Sequence, residues 1–329
     1  MILVTGATGF VGSAVARALI KRGHDVRVLV RPSSDRRNLE GLKVDIAEGD
    51  LVDAATLKPA LRGCRGLFHV AADYRLWVPY PGPMFKANVE GTRTIMLAAA
   101  ESGVERIVYT SSVATLGILP GDGVADEDTP VAFGDMIGPY KQSKFLAEAE
   151  VRELAAGQGL PVVIVNPSMP VGPRDIKPTP TGRMIVEAAL GKMPAYVDTG
   201  LNAVHVEDVA EGHVLAFEKG KTGQRYVLGG EKMTLRGILT LIAEITGSKA
   251  PRIKIPHNLI LPFAFLAEAW ARVSGGGEPF ATVDGLRMAK KKMYYSHQKA
   301  ERDLGYRPRP AQHAFADAVR WFRDNGTIP

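Results

Sequence analysis

Short apolar runs alternate with stretches of helical periodicity along the first half of the chain. The runs are ILVT (2–5), VRVLV (26–30), LFHVAA (67–72), RIVYTSS (106–112) and PVVIVNP (161–167), rich in valine and isoleucine. Near-continuous apolar runs of this length fit strands buried on both faces. Between them lie VGSAVARALIKRG, DAATLKPALRG, MFKANVEGTRTIMLAAAESG and a long segment beginning GPYKQSKF. Several end in glycine, as a helix C-terminus does. Strand–helix alternation over this length predicts parallel strands with crossover helices, an α/β doubly wound sheet of the Rossmann kind.

The pattern changes after Pro167. NPSMPVGPRDIKPTPTGR carries five prolines and reads as a loop. Beyond it come AVHVEDVAEGHVLAFEKG, a strand at RYVLGG, and helices around 234–246, 257–273 and 311–325. The expected division is a nucleotide-binding part over 1–166, with about 202–229 packing back onto it, and a mainly substrate-binding part over 167–329. No flexible linker separates them. LILPFAFLAEAW (259–270) is about a dozen residues and includes Glu268, too short for a membrane span of ~20 apolar residues. It reads first as a buried helix of the smaller part, with an apolar substrate or a membrane surface as alternatives.

Composition narrows the classes. The 329 residues are 23% charged and 46% hydrophobic, ordinary for a soluble globular protein. The net charge of +6 is a mild basic excess, densest at RMAKKKMYY. No dense basic patch with interleaved aromatics is present, so nucleic acid is not an expected partner. The excess does suit an anionic ligand. The single cysteine, Cys64, precludes an intramolecular disulfide, fits a reducing compartment and reads as a small apolar filler. MILVTG runs straight into a strand without a charged leader, so a cytoplasmic location is expected.

VTGATGFVG sets Gly6, Gly9 and Gly12 at three-residue spacing between a strand and a helix. Glycines there allow a tight turn, close approach of the backbone to a pyrophosphate, and close helix–strand packing. The helix N-terminus offers free N–H groups to the phosphates. Gly6, Thr8, Gly9, Phe10 and Val11 are therefore expected to touch a dinucleotide. After the second strand the chain reads VRVLVRPSS, with Arg31, Ser33 and Ser34 and no acid before Asp35. An acid there would favour NAD; an arginine accommodates the 2′-phosphate of NADP(H). NADP is thus the expected cofactor, NAD the less favoured one, and the reading calls for no metal. Asp50 and Leu51, after the third strand, are expected near the adenine. Ala71 and Ala72, after the fourth, are small enough to let a cofactor approach.

The fifth strand ends YTSSVATLG, which brings Ser111 or Ser112 to the strand end where ligands sit in open α/β sheets. Tyr140 and Lys144 are four apart in a helical stretch and so share a face. A free phenol, pKa about 10, exchanges protons poorly at pH 7. A neighbouring ammonium is expected to lower that value. A serine hydroxyl beside the pair can hold the substrate oxygen as charge develops on it. The set suits reversible hydride transfer between a carbinol and a nicotinamide.

Together TGATGFVG, the SS pair and YKQSK resemble the extended short-chain dehydrogenase/reductase superfamily, over essentially the whole chain. Within it the chain is similar to the dihydroflavonol 4-reductase branch. AADYRLW, NPSMPVGPRDIKPTPTG and VDTGLNAVHVEDVAEGH look like bacterial hopanoid-associated sugar epimerases. The resemblance implies Tyr140 as catalytic acid/base, Lys144 as its partner and Ser112 as the catalytic serine. It also implies Asn88 as a residue ordering the sheet centre, Asp208 as a structural acid, and Pro167 and Met169 as backbone contacts to the nicotinamide. Candidates for the substrate pocket are Asp73, Tyr74, Trp77, Arg174, Lys177 and Tyr196; His205 reads first as a packed strand residue.

The expected activity is that of an NADP(H)-dependent oxidoreductase acting on a carbonyl or secondary alcohol, with a hopanoid-pathway role implied by resemblance. The alternatives are a sugar or nucleotide-sugar epimerase or dehydratase that retains its cofactor, and a non-catalytic NADP(H) sensor. The expected partner is a small carbonyl or sugar-like molecule, free or on an apolar carrier. Peripheral membrane contact is open, and a homodimer through helices at 84–102 and 140–157 is expected from the family.

Overall fold

The computed structural model describes residues 1–329 apart from 276, 278 and 280. Among the described residues the strands begin with β1 (Ile2–Thr5), β2 (Val26–Val30), β3 (Asp45–Glu48), β4 (Gly66–His69), β5 (Arg106–Thr110), β6 (Val124–Ala125) and β7 (Val162–Pro167). They continue with β8 (Met169–Val171), β9 (Ala195–Tyr196), β10 (Gly200–His205), β11 (Arg225–Leu228), β12 (Glu231–Thr234), β13 (Ile253–Lys254) and β14 (Lys292–Tyr295). The helices are α1 (Phe10–Lys21), α2 (Ala54–Leu61), α3 (Gly82–Phe85), α4 (Gly91–Glu101), α5 (Gly138–Gln158) and α6 (Pro180–Ala189). After them come α7 (Val206–Lys219), α8 (Leu235–Thr246), α9 (His257–Ser274), α10 (Val283–Ala289), α11 (Gln298–Leu304) and α12 (Ala311–Asp324).

Seven strands form one parallel sheet in the order β11-β7-β5-β4-β1-β2-β3. The chain builds β1, β2 and β3 outward, then returns to place β4 on the other side of β1. That reversal opens a crevice at the C-terminal ends of β1 and β4, the usual ligand position in such a sheet. The predicted strands at 67–72 and 106–112 end earlier, at His69 and Thr110, so Ala71, Ala72, Ser111 and Ser112 lie on loops over that edge.

Two apolar layers sandwich the sheet. One packs α1 and α7 through Val15, Leu19, Val209 and Val214. The other packs α2, α4 and α5 through Leu57, Leu61, Ile95, Met96, Ala147 and Val151, and it holds Cys64, 5% exposed. Helix α7 and strand β11 thus belong with the nucleotide sheet, although they follow the proline loop. Strand β10 does not: it joins a second sheet, order β12-β10-β14-β6, with β8 paired to β10. Helices α6, α8 and α12 close over that sheet through Ile185, Ile238, Ile242, Phe315, Val319 and Phe322.

The 257–273 segment is helical, but it is not the buried helix expected. Only Ala264 and Ala271 of α9 are buried; they and the half-buried Ile260 and Leu261 meet a small cluster with Val283 and Leu286 of α10. The larger apolar side chains face outward. No helix among the described residues is long and apolar enough to cross a membrane.

Candidate active site

The loop after β1 has a geometry that only glycine satisfies. Gly6 has φ +72°, and a Cβ there would stand 2.7 Å from the Ala71 nitrogen. A Cβ on Gly12 would stand 2.1 Å from the Gly6 carbonyl oxygen. The two positions let α1 start close to the sheet and draw the Ala71–Ala72 loop against the turn. The Val70 and Ala71 N–H groups both donate to Thr5 Oγ1, each at 3.2 Å, which fixes that approach. Gly9 is the N-cap of α1 and supplies no side-chain acceptor, so the opening N–H groups of α1 lack a side-chain partner. This fits a pyrophosphate, whose oxygens would take those donors. Asn38, buried in the loop after β2, donates from Nδ2 to Thr8 O at 3.1 Å and to Arg174 O at 3.3 Å. It ties the glycine turn to the proline loop; its place among the charges of SSDRRNLEG offers no sequence signal.

At the adenosine end, Arg31 is exposed and its guanidinium makes no ion pair among the described residues. Its N–H donates to Ser34 Oγ at 3.2 Å, which turns the loop after β2. Arg36 and Arg37 are instead paired, with Glu48 and Asp35 respectively. The Arg37 guanidinium holds the Asp35 carboxyl down at about 2. The acid in this loop is therefore spoken for, while Arg31 is not. Asp50 accepts from the Val52 N–H at 3.2 Å and takes its own backbone order from Thr56; Leu51 packs near Gly91.

Helix α5 carries the reacting end. Gly138, φ +79°, and Pro139 at its first turn set the entry, and Gly159 in the left-handed region ends it. Burial raises the Tyr140 phenol pKa, while hydrogen bonding by the Ser112 side chain pulls it back down. Ser112 also caps the short turn after β5, its Oγ accepting from the Ala114 N–H at 3.1 Å.

Lys144 departs from its expected partnership. Its Nζ donates to Thr110 O at 2.8 Å and to Tyr109 Oη at 3.3 Å, and lies 4.9 Å over the Tyr109 ring. No hydrogen bond joins it to Tyr140 in this structure. Burial lowers the Lys144 pKa to about 8, against a pull upward from Glu148.

Glu148 was not singled out in the sequence, yet its spacing of four from Lys144 and eight from Tyr140 is a same-face signal. Its buried carboxylate accepts from Ser111 Oγ, from Thr115 Oγ1 at 2.8 Å and from Asn166 Nδ2 at 2.9 Å, and pairs with Arg225 at 3.1 Å. Asn166 Nδ2 also reaches Ser112 O at 3.0 Å. The network holds the end of β5, and so the Ser112 backbone. Asn88 lies in a π-helical turn, Lys86–Glu90. Its side chain bonds both backbone groups of Asp73 and donates to Ser143 Oγ at 2.9 Å, pinning the loop after β4 to α5.

The other sequence candidates separate. His205 is fully buried, caps α7 through the Glu207 N–H and meets Asp317 at 3.2 Å, a structural setting. Tyr196 packs on the core of the second sheet, and Met169 is buried in that same core. Asp208 is bridged by Arg309. Tyr74 is 41% exposed, Trp77 Nε1 is buried without a hydrogen-bond partner among the described residues, and Arg174 is exposed with φ +75°. Asp73 pairs with Arg75, and Lys177 is exposed. Asp175 was missed: buried in the proline loop, its carboxyl is pushed up to about 6 by burial, against hydrogen bonds from Thr179. It faces Tyr74, whose phenol it raises further after burial.

A family model described as "NAD dependent epimerase/dehydratase family" matches residues 2–229, the span that builds the sheet and both ends of this site. The chain belongs to that family. It is an extended short-chain dehydrogenase/reductase, an enzyme class that works with NAD(P). A putative dihydroflavonol 4-reductase of Synechocystis sp. is 47% identical over 330 residues, covering 99% of this chain and 95% of the relative. Sterol demethylase protein B of Methylococcus capsulatus is 38% identical, covering 99% of each. The crystal structure of gox2253 superposes with a TM-score of 0.91 at 56% identity, covering 100% of this chain and 99% of that one.

Proposed function

We propose that the protein is an NADP(H)-dependent oxidoreductase that interconverts a carbonyl and a secondary alcohol. The observation that carries this is the Ser112 side chain acting on the Tyr140 phenol of α5, with the buried Lys144 one turn further along the same helix. The unpaired Arg31 supports the 2′-phosphorylated cofactor over NAD, because a free guanidinium is the group that phosphate seeks. The glycine turn, with Gly6, Thr8, Gly9, Phe10 and Val11, would hold the pyrophosphate. Ser34, Asp50 and Leu51 would flank the adenosine, and Ala71, Ala72, Pro167 and Met169 the nicotinamide end. NADP(H), when bound, supplies or accepts the hydride.

The chain's own part is the proton and the oxygen. Ser112 Oγ hydrogen-bonds the substrate oxygen, and Tyr140 Oη gives it a proton in reduction or takes one from the carbinol in oxidation. Lys144, one turn along α5 from Tyr140, would carry a positive charge near the site and bind the cofactor ribose. Asp73, Tyr74, Trp77, Arg174 and Asp175 would border the substrate side.

The kinship with a protein named a dihydroflavonol 4-reductase and one named a sterol demethylase supports a polycyclic or otherwise apolar substrate, and a hopanoid is one such body. The two-part division, the cytoplasmic location and a homodimer through the adjacent α4 and α5 belong to the same proposal. The test is Tyr140→Phe assayed against a panel of aldehydes and ketones. Turnover should fall by roughly 10²–10⁴-fold while NADPH binding persists. Activity equal to wild type would remove Tyr140 from the chemistry.

A further inference from the structure

Helix α9 is amphipathic with its larger apolar face turned outward. Leu259, Phe263, Leu266, Trp270 and Val273 are 63, 72, 69, 72 and 85% exposed. At 3.6 residues per turn these five positions fall within about 80° of arc, a continuous stripe along the helix. The opposite face, with Ala264, Ala271 and the half-buried Ile260 and Leu261, is the one that meets α10. Just before the helix, Ile253 of β13 adds another 62% exposed apolar side chain. An exposed patch of this size on a soluble chain marks a site of contact with something apolar.

The charge around the stripe indicates what that is. Residues 249–292 carry eight Lys/Arg and three Asp/Glu, five of the chain's six net positive charges in about an eighth of its length. Lys254, Arg272, Arg287 and Lys292 are ion-paired. Lys249, Arg252, Lys290 and Lys291 are exposed and make no ion pair among the described residues. Two of these four sit at the N-terminal end of α9: Arg252 adjoins Ile253, and Lys290 Nζ bonds Asn258 Oδ1 at 2.9 Å. A second copy of this face would bring like charges together. An apolar face bordered by unpaired cations complements a surface that is apolar beneath an anionic rim.

We propose that the outer face of α9 docks on the surface of an anionic lipid bilayer, lying in the interface and not spanning it. The aromatic and aliphatic stripe enters the headgroup–acyl boundary, and the four unpaired cations meet lipid phosphates. The proposal does not depend on which reaction the protein performs.

The test is co-sedimentation of the full chain with vesicles of phosphatidylglycerol and phosphatidylcholine, beside vesicles of phosphatidylcholine alone. Binding is expected to the anionic vesicles and to weaken as salt is raised. Phe263→Glu and Trp270→Glu are each expected to weaken it by roughly tenfold or more, given the burial value of one large apolar side chain. Both residues are exposed, and circular dichroism verifies that the variants fold. Lys290→Glu paired with Lys291→Glu tests the charge separately and should lower binding to anionic vesicles. Failure to bind anionic vesicles, equal binding to both vesicle types, or unchanged binding by Trp270→Glu would overturn the proposal. So would a concentration-dependent dimer, seen without vesicles, that Trp270→Glu dissolves.

Discussion

A lysine enclosed by a tyrosine ring and a backbone carbonyl is an expensive arrangement, and Lys144 occupies it. Burial favours its neutral form, and the Thr110 carbonyl, the Tyr109 ring face and Glu148 one turn along α5 oppose that. Burial likewise favours the neutral form of Tyr140, one turn before it, and so raises the phenol's pKa where it lowers the lysine's. Proton donation in the reducing direction suits that state. Arg31 at the far end of the crevice faces the opposite situation, exposed and unpaired beside paired arginines. A charge-assisted contact to a 2′-phosphate is worth roughly 1.5–3 kcal/mol. Arg31→Ala should therefore weaken NADPH by about tenfold or more and leave NADH nearly unchanged, as read by fluorescence titration. An unchanged ratio of the two affinities would show that another group reads the phosphate.

Among elements, two buried histidines join the sheet to its flanking helices. His69 of β4 lies between Thr5 of β1 and Thr92 of α4, at 2.8 and 3.0 Å. His213 of α7 bonds Thr110 of β5 at 2.9 Å and the Val209 carbonyl at 2.7 Å. Burial is the leading cause that depresses both, to about 3 and about 4. Below the unfolded value near 6.5, the unfolded chain takes up protons that the folded one refuses, so stability is full above that pH and falls as pH drops. Each histidine contributes up to about 1.4 kcal/mol per pH unit. Urea unfolding between pH 7 and pH 5 should show this loss, and His213→Gln should flatten the slope; an unaltered slope would mean that His213 is not buried neutral.

Most elements of the nucleotide sheet were legible because β1, β2, β4, β5 and β7 lie in largely apolar runs; β3, which reads DIAE and is mostly exposed, is not such a run. The second sheet was not legible. Its strands β6, β8, β12 and β14 are two to four residues long, and their partners are remote in sequence. Helix α9 was misjudged because apolar periodicity reveals a stripe without revealing which side faces the protein. At the site, Tyr140 and Lys144 stand out by spacing; strand order leaves Ser111 or Ser112, and only the family resemblance points to Ser112. Tyr109 does not stand out, since in RIVYT it reads as one more buried strand residue.

Across the whole molecule, the sheet of β1–β5, β7 and β11 presents its C-terminal edge to loops drawn from both parts of the chain. Asn38 links the glycine turn to the proline loop, and Asn88 links the loop after β4 to α5. A dinucleotide laid along that edge would run from Arg31 past the glycine turn to Ser112 and Tyr140, with α9 on the smaller part free to face a lipid surface. The measurement that tests this account most directly is a fluorescence titration of the purified protein with NADPH and with NADH, after assay of the isolated protein for bound cofactor. The account predicts exchangeable NADPH bound at least about tenfold more tightly than NADH. Stoichiometric NAD(H) that does not exchange would contradict it and favour an epimerase that retains its cofactor.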